Sequence, residues 1–488
     1  MVSKLRLGIA MSPSLLAMAI IFGIVVLGSA LAFYAGAHYR MDLEQWTVAG
    51  RGFGLIFVWL LMAGEIYTTF SFLGASGWAY SRGGPALYIV AYGPLAYVFS
   101  FFILPPLCLV GKKFGLQTQS DFFQQRYGSK TLTALVAIIG VLFIIPYLQL
   151  QLTGLGIIVQ VASYEGIGRV PAMVIASALV AAFVFASGLR AAAWVSVLKD
   201  FLMLFAVITI AIAVPHIHFG GIAPMFLEIA HSNASHLVMP GTTKNLGHSW
   251  YISTVLLTSL GFYMWPHAWP AVFSAKSADT LRRNAVIMPL YGITLPLVLI
   301  VGFAAIRIVP GLSNGDLSLL TVVRKTFPAW FLGVIGGAGA LTAMVPAAIL
   351  IQTAATLFAK NFYRPLFAPG MSDDAVTRLA RVMVIGITLI ALFSAIYSST
   401  SLVALLLLGY AGVTQFLPGV LLGIYSRRVT RRGVFIGIAS GIAVVTLLIT
   451  NKRDPFFGLN AGFIALTINF LTTFGVSLLS PAQRSGLD

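Results

Sequence analysis

The stretch Leu61-Met62-Ala63-Gly64-Glu65-Ile66-Tyr67-Thr68-Thr69 places a glycine and a carboxylate in the middle of an apolar run at residues 52–76. A second stretch, Gly261-Phe262-Tyr263-Met264-Trp265-Pro266-His267-Ala268-Trp269-Pro270, places two prolines four residues apart in the run 250–275. Each proline removes a backbone donor and clashes with the preceding turn, so a regular helix cannot continue through both. Apolar runs of this length are typical of transmembrane helices. The sequence therefore predicts two interrupted membrane helices.

The composition is that of an integral membrane protein. Of the 488 residues, 59% are hydrophobic and only 9% are charged, whereas soluble domains carry roughly a quarter charged residues. Apolar runs recur along the chain, each long enough to cross a hydrocarbon core of about 30 Å as a helix, and their continuity argues against a barrel. The sequence therefore predicts an all-α integral membrane protein with thirteen transmembrane helices. We place them at 14–35, 52–76, 84–110, 130–162, 170–188, 192–214, 250–275, 284–308, 327–361, 376–397, 400–425, 432–450 and 457–480.

The net charge of +17 comes mainly from Lys and Arg residues in short loops between these runs. This distribution indicates membrane topology rather than nucleic-acid binding, because basic residues are enriched in cytoplasmic loops. Most of them fall inside when the N-terminus is placed outside. We therefore expect a multi-pass protein of the cell inner (plasma) membrane with a cytoplasmic C-terminus. Cys108 is the single cysteine, which excludes a disulfide framework and a thiolate metal site.

The two interrupted runs are the second and the seventh of the thirteen, and counting five runs from each gives two sets, 52–214 and 250–425. Interrupted helices at matching positions of two halves indicate an inverted-repeat transporter with a site near mid-membrane. A proline kink and a conformational glycine are the alternative explanation. The remaining segments are an extra N-terminal helix with the first loop (1–51), an extracellular loop (215–249), and two C-terminal helices with a short tail (426–488).

An enzymatic function is disfavoured by the distribution of reactive residues. A membrane-embedded enzyme needs clustered His, Asp or Glu at mid-depth, such as H-E-x-x-H, and the sequence has no such motif. The histidines of the loop 215–249 lack a compact metal-ligand spacing. We expect a transporter with no cofactor, whose partners are a small solute and the lipid bilayer, with no obligatory protein partner and no nucleic acid.

Four segments resemble a known family. They are Trp46-Thr-Val-Ala-Gly50-Arg51, Gln117-Thr-Gln-Ser-Asp-Phe-Phe-Gln-Gln-Arg126-Tyr127, Ser187-Gly188-Leu189-Arg190-Ala-Ala-Ala-Trp194 and Leu357-Phe-Ala-Lys-Asn-Phe-Tyr363. In these segments the chain is similar to the sodium/solute symporters, which include the proline permease and the sodium/galactose transporter. The resemblance covers nearly the whole chain. It implies a leucine-transporter-type five-plus-five inverted repeat with two broken helices.

Other segments look most like the monocarboxylate permease branch of that family, whose substrates are lactate, pyruvate and alanine. This resemblance implies import of a small monocarboxylate such as lactate or pyruvate, coupled to protons or to sodium. The alternative is a sodium-coupled symporter of another small solute, such as acetate, proline or a sugar. The segments that carry it are Gly64–Thr68, Pro146–Leu152, Val197–Asp200, Pro266-His267, Arg282–Ala285 and Met344–Ala348.

The resemblance also implies where sodium would bind. The ion would lie between the second and ninth spans, with the carbonyls of Ala63 and Ile66 as ligands. A hydroxyl pair of the family matches Val345 and Pro346, which have no side-chain oxygen. A hard cation of this kind needs about five or six oxygen ligands, so the ordinary sodium site is damaged. The nearest remaining hydroxyl is that of Thr342, and Ser196 stands where some relatives have an acidic residue.

Lys199 lies within an apolar run, where a lysine is costly and usually functional. A desolvated amine can exchange a proton near neutrality, and some proton-driven carriers of this overall fold place a lysine where relatives hold sodium. We therefore expect Lys199 to replace the ion. The alternative is that Lys199 reaches the cytoplasmic surface and pairs with Asp200. Neighbouring helical residues do not face each other, which argues against that pair.

The substrate site is expected at the two interruptions. Helix N-termini attract carboxylates through unpaired amides, and Glu65 is either a coupling carboxylate, a group that orients the substrate, or a partner for such amides. Core packing is the alternative role for the aromatic candidates, and interhelical hydrogen bonding is the alternative for the two glutamines. The candidate substrate-binding residues are Glu65, Tyr67, Thr68, Thr69, Tyr147, Gln149, Gln151, Trp265 and His267.

Overall fold

The computed structural model describes residues 11–36, 43–186, 189–481 and 486–487. Within these ranges the chain is helical, and its only extended pairing is two isolated bridges. The α-helices are α1 (Pro13–Gly36), α2 (Leu43–Val48), α3 (Leu55–Ile66), α4 (Ala75–Arg82), α5 (Tyr88–Lys113), α6 (Gln119–Tyr127), α7 (Lys130–Ala162), α8 (Arg169–Ala186), α9 (Leu189–Phe219), α10 (Ile222–Ser232), α11 (His248–Gly261), α12 (Ala268–Ser274), α13 (Ala278–Gly292), α14 (Thr294–Ile308), α15 (Ser318–Thr326), α16 (Ala329–Thr356), α17 (Arg364–Phe367), α18 (Asp373–Tyr397), α19 (Leu402–Val413), α20 (Leu417–Tyr425), α21 (Arg431–Thr450) and α22 (Ala461–Leu478).

Ten helical stretches of the described ranges are long and apolar enough to cross a membrane. The three other predicted spans coincide with helices that are short or interrupted. The run 170–188 coincides with α8, the run 52–76 covers α3 and the first two residues of α4, and the run 250–275 covers most of α11 and all of α12. The total of thirteen transmembrane helices therefore remains a prediction. It depends on these three segments, where a short or interrupted helix does not reach the length of a continuous span.

The sequence predicts the first interruption near Gly64. The structure has it at Tyr67, three residues later. Tyr67 has an extended backbone (φ −86°, ψ 97°), and a π-helical turn at Phe70–Gly74 leads into α4. The hydroxyl of Ser71 accepts from the Thr68 amide at 2.9 Å. Side-chain oxygens of this kind compete with the helical hydrogen-bond ladder. These local hydrogen bonds explain why the helix ends after Ile66.

The second interruption is confirmed between Gly261 and Pro270. Helix α11 ends at Gly261, a 3-10 turn follows at Phe262–Met264, and Trp265 is extended (ψ 126°). Pro266 stands between the two helical halves, so its missing amide breaks no ladder. Pro270 lies in the first turn of α12, where an amide has no intrahelical partner in any case.

Helix α16 is buried almost throughout and packs against α1, α3, α7 and α9. Glycines on α16 allow the close approach of α1. A Cβ at Gly337 would lie 2.5 Å from Cδ1 of Ile24, and one at Gly333 would lie 2.9 Å from the Ala17 carbonyl oxygen. Small residues at helix contacts are the usual means of tight packing in membranes. Helix α9 packs against α1, α3 and α16, and this position brings Lys199 to the end of α3.

Candidate functional site

The two interrupted helices line one central cavity. Its wall is completed by side chains of α5, α7 and α19. Among the described residues that line it there is no Asp, Glu, Lys or Arg. The lining residues are Met62, Phe70, Tyr92, Tyr147, Phe262, Tyr263, Trp265, His267, Ala268, Leu406 and Tyr410.

Aromatic rings form most of this wall and contact one another. The ring centroids of Tyr147 and Trp265 are 4.8 Å apart, those of Trp265 and Tyr410 are 5.3 Å apart, and those of Tyr147 and His267 are 5.5 Å apart. Trp265 fits because residue 409 is glycine: a Cβ there would lie 2.3 Å from Cη2 of the indole. The wall therefore combines aromatic ring surface with polar atoms, among them the tyrosine hydroxyls and the His267 imidazole.

Three of the predicted substrate-binding residues meet at the cavity, namely Tyr147, Trp265 and His267. His267 is 3% exposed, and its Nδ1 atom has no hydrogen-bond partner among the described residues. A buried polar atom without a partner is costly. A bound solute that reaches Nδ1 would satisfy it, so His267 is the best-placed polar group for orienting a ligand.

Thr68, Thr69 and Gln151 do not line the cavity. The amide of Thr69 and its hydroxyl both donate to Oε1 of Gln151, at 3.3 and 2.8 Å. The Phe70 amide donates to the Thr68 hydroxyl at 3.2 Å, and Ser71 serves the Thr68 amide in the same way. The expectation that unpaired amides at the first interruption bind the substrate is therefore wrong in this conformation, because the chain's own side chains occupy them.

Tyr67 also points away from the cavity. Its hydroxyl donates to the Tyr291 carbonyl oxygen on α13 at 2.6 Å and accepts from the Thr294 hydroxyl. Its ring packs edge-on against that of Tyr291, with centroids 4.3 Å apart. Tyr67 thus ties the first interruption to the second half of the chain. Gln149 is buried outside the cavity lining, and the side chains of Glu65 and Ile66 lie outside the described part of the structure.

Lys199 is fully buried, with 0% of its surface exposed. Its Nζ donates to the carbonyl oxygens of Gly64, at 2.9 Å, and of Tyr67, at 3.3 Å. It also lies 3.0 Å from Oδ1 of Asp200. The surface-seeking alternative is therefore wrong. The expectation that neighbouring residues would not pair is also wrong, because the long lysine side chain reaches back to its neighbour while its amine stays at the end of α3.

The other predicted coupling residues fit sodium poorly. The Ala63 carbonyl accepts the Tyr67 amide at 3.0 Å, the Ser196 hydroxyl donates to the Ala192 carbonyl at 3.0 Å, and Val345 is buried and apolar. The carbonyl oxygens of Gly64 and Tyr67, at the end of α3, face the ammonium group of Lys199. The positive charge of this group repels a metal cation. Thr342 is the exception, because its buried hydroxyl has no hydrogen-bond partner in the described ranges.

The sequence analysis missed several cavity residues. Phe262 and Tyr263 belong to the second interrupted stretch, so their backbone position was a usable signal. Tyr92 on α5 and Tyr410 on α19 stand in ordinary apolar runs. They reach the cavity only through tertiary packing. The local sign of it in the sequence is Gly409, the residue before Tyr410, which allows the close approach of Trp265.

A model of the sodium:solute symporter family matches residues 46–441. Two relatives from Bacillus subtilis (strain 168) are uncharacterized symporters: YhjB is 43% identical over 96% of this chain and 98% of its own length, and YodF is 34% identical over 94% of each. The monocarboxylate transport permease protein of Rhizobium johnstonii (strain DSM 114642 / LMG 32736 / 3841) is 28% identical over 96% of this chain and 97% of its own.

Two solved structures share the fold. A Na+-coupled sialic acid symporter, in a substrate-bound outward-open state, aligns with a TM-score of 0.80 and 17% identity, covering 96% of this chain and 98% of its own. A nucleobase-cation-symport-1 family transporter, MHP1, aligns with a TM-score of 0.57 and 13% identity, covering 92% and 98%. The family model spans most of this chain, and YhjB is similar along nearly its full length. This chain is therefore a member of the sodium:solute symporter family.

Proposed function

We propose that this symporter imports a small monocarboxylate, such as lactate or pyruvate, across the cytoplasmic membrane. The observation that carries the proposal is the cavity between the two interrupted helices, whose lining residues are mainly aromatic. The relative named as a monocarboxylate transport permease supports the choice of substrate. The proposed repeats, 52–214 and 250–425, would move against each other around this cavity.

The chemistry of the cavity favours a short acid over a sugar. A sugar presents many hydroxyl groups, and each one left unpaired in a buried site costs free energy. The wall offers aromatic ring surface together with a few side-chain polar groups, those of His267 and the tyrosines. A two- or three-carbon acid needs partners for only one carboxylate and one further oxygen, and its methyl group fits against aromatic rings.

We further propose that a proton is the coupled ion. The Lys199 ammonium occupies carbonyl oxygens at the end of α3, adjacent to the two that the family resemblance assigned to sodium. An ammonium group can substitute for a bound cation there without any metal. The sodium alternative rests on the buried hydroxyl of Thr342, which has no partner in the described part of the chain.

Uptake into proteoliposomes tests both parts of the proposal. Labelled lactate or pyruvate should accumulate under an inward proton gradient, and unlabelled short monocarboxylates should compete with it. Replacing sodium by choline should change uptake little. Competition by proline or galactose, in the absence of competition by lactate, would reverse the substrate assignment. Strong stimulation by sodium at constant pH would restore sodium coupling.

A further inference from the structure

The acceptor groups around the Lys199 amine match the donors of an ammonium group in number. An ammonium has three N–H donors, and three acceptors surround it: the carbonyl oxygens of Gly64 and Tyr67 and the carboxylate of Asp200. A neutral amine has two donors, so one acceptor would lose its partner at a site without solvent. Loss of the proton from Lys199 would also leave the Asp200 charge uncompensated, which is costly for a buried carboxylate.

Asp200 is the less satisfied member of the pair. It is 2% exposed, and neither of its oxygens accepts a well-aligned hydrogen bond within the described ranges. Its polar neighbours are the Lys199 ammonium at 3.0 Å and the Tyr291 hydroxyl, which faces the carboxylate from α13. An ionised carboxylate has about four acceptor positions, so most of those on Asp200 have no donor.

Among the side chains that the structure describes, few other ionisable groups act on Asp200. Lys199 belongs to its own helix, Tyr291 to α13 and Tyr67 to the end of α3. The neighbouring helices α1 and α16 contain no Asp, Glu, Lys, Arg or His. On the other helices that contact α9, Glu44 pairs with Arg51, Glu228 pairs with Arg307, Arg324 pairs with Glu165, and Lys325 donates to the Ile308 carbonyl, while His231 is exposed. Glu65 on α3 is the remaining charged residue of these helices, and its side chain lies outside the described part of the structure.

We propose that the transported proton binds to the carboxylate of Asp200, while Lys199 remains an ammonium throughout the cycle. This inference rests on the proposed function. The proton comes from water on the side of uptake, forms an O–H bond on Asp200, and is released on the opposite side. No other bond forms or breaks, and Lys199 serves as a fixed cation in the position of a metal ion.

Charge balance gives this arrangement its coupling. The empty protein holds Lys199 and Asp200 as a neutral pair. A carboxylate substrate adds one negative charge in the cavity, and a proton on Asp200 adds one positive charge, so the fully loaded protein gains no net charge. A protein loaded with only one of them carries an unbalanced charge inside the membrane, which is expensive. The empty and fully loaded forms therefore reorient more readily than the half-loaded forms.

The same residues connect Asp200 to the cavity. Lys199 holds the carbonyl of Tyr67, whose hydroxyl is bound to the backbone of Tyr291, and the Tyr291 hydroxyl faces Asp200. When Asp200 is protonated, the ammonium is left with the two carbonyls as its strong acceptors. Protonation thus changes how firmly α9 holds the end of α3, next to Met62 and Phe70 of the cavity wall.

The variant Asp200→Asn, which imitates the protonated form, tests the proposal in proteoliposomes with a pH-sensitive dye in the lumen. Lactate exchange at equal pH should remain measurable, whereas accumulation under an inward proton gradient and acidification of the lumen should be lost. Asp200→Glu should retain part of both. Asp374→Asn, on the exposed first turn of α18, is the matched control and should behave as wild type. Proton-driven accumulation by Asp200→Asn at the wild-type level would overturn the proposal.

A second measurement does not depend on the substrate. Infrared difference spectra are recorded on purified protein that carries Asp316→Asn, because burial raises the pKa of Asp316 to about 7 and its own C=O band would appear in the same range. As the pH is lowered through the range near neutrality, this parent protein should show the C=O band of a newly protonated carboxyl group. Exposed carboxylates remain ionised in that range. The band should be absent when Asp200→Asn is added to this parent and present when Asp374→Asn is added. The persistence of the band when Asp200→Asn is added to Asp316→Asn, or its absence from the Asp316→Asn parent, would overturn the proton assignment. Failure of lactate transport together with the expected spectra would instead overturn the proposed substrate.

Discussion

The Nζ atom of Lys199 lies 2.9 Å from the carbonyl oxygen of Gly64, so a side chain of α9 holds the last turn of α3 where that helix is interrupted. A helix end inside a membrane needs partners for its carbonyl groups, because lipid offers none. Lys199 supplies donors to two of them. The interrupted end of α3 therefore needs the donors of Lys199, and the buried charge of Lys199 needs the carbonyl oxygens that the interruption leaves free.

Replacing Lys199 should remove gradient-driven uptake whether or not the positive charge is kept. Lys199→Gln leaves the Asp200 carboxylate without a cation. Lys199→Arg keeps the charge, but a planar guanidinium cannot direct donors at three acceptors that surround a compact ammonium. Both variants should lose accumulation of labelled lactate under an inward proton gradient. Lys244→Gln, in the exposed loop before α11, should transport normally. Near-normal uptake by Lys199→Arg would show that only the charge matters.

Sodium should matter only after the lysine is shortened. In Lys199→Ala the carbonyl oxygens of Gly64 and Tyr67 and the carboxylate of Asp200 are left facing the space of the removed amine. These are oxygen ligands of the kind that hard cations prefer. We expect sodium to stabilise Lys199→Ala against thermal unfolding and to leave the Tm of wild type unchanged at the same ionic strength, with potassium as the control ion. Stabilisation of wild type by sodium would point to an ion site elsewhere, with Thr342 as the first candidate.

The sequence predicted those features that depend on local chemistry. Two prolines in one apolar run predicted the second interruption, and a lysine in another predicted a buried functional cation. The first interruption lies three residues from its predicted position, because it depends on hydrogen bonds of Thr68 and Ser71 that the sequence pattern does not specify. Tyr92 and Tyr410 were missed because tertiary packing alone brings α5 and α19 to the cavity.

The cavity can be narrowed at one position without changing any residue that lines it. In Gly409→Ala, the added Cβ would lie 2.3 Å from Cη2 of Trp265, so the indole must move towards the cavity. We expect the KM for lactate uptake to rise by about tenfold or more, as for a loss of roughly 1.4 kcal/mol in binding. Gly386→Ala is the matched control, since a Cβ there meets nothing within 4 Å. An unchanged KM in Gly409→Ala would show that the substrate does not contact Trp265.

Asp316 makes stability depend on pH. It lies in the loop between α14 and α15, is 2% exposed, and its Oδ2 accepts from the Leu402 amide at the start of α19, at 3.0 Å. Burial raises the pKa of Asp316 to about 7, although the Leu402 amide and the charge of Arg169 act in the opposite direction. The folded protein thus binds a proton more tightly here than the unfolded chain does, where the pKa is about 3.9.

The folded state therefore loses stability as the pH rises from about 4 to about 7, by an amount on the order of 4 kcal/mol for a shift of about three units. Asp316→Asn keeps an oxygen acceptor for the Leu402 amide and cannot ionise. Its Tm should match that of wild type near the lower pH and exceed it near the upper one. The control Asp374→Asn should follow wild type at every pH. A Tm difference between Asp316→Asn and wild type that is constant across this range would contradict the buried, proton-binding carboxyl at Asp316.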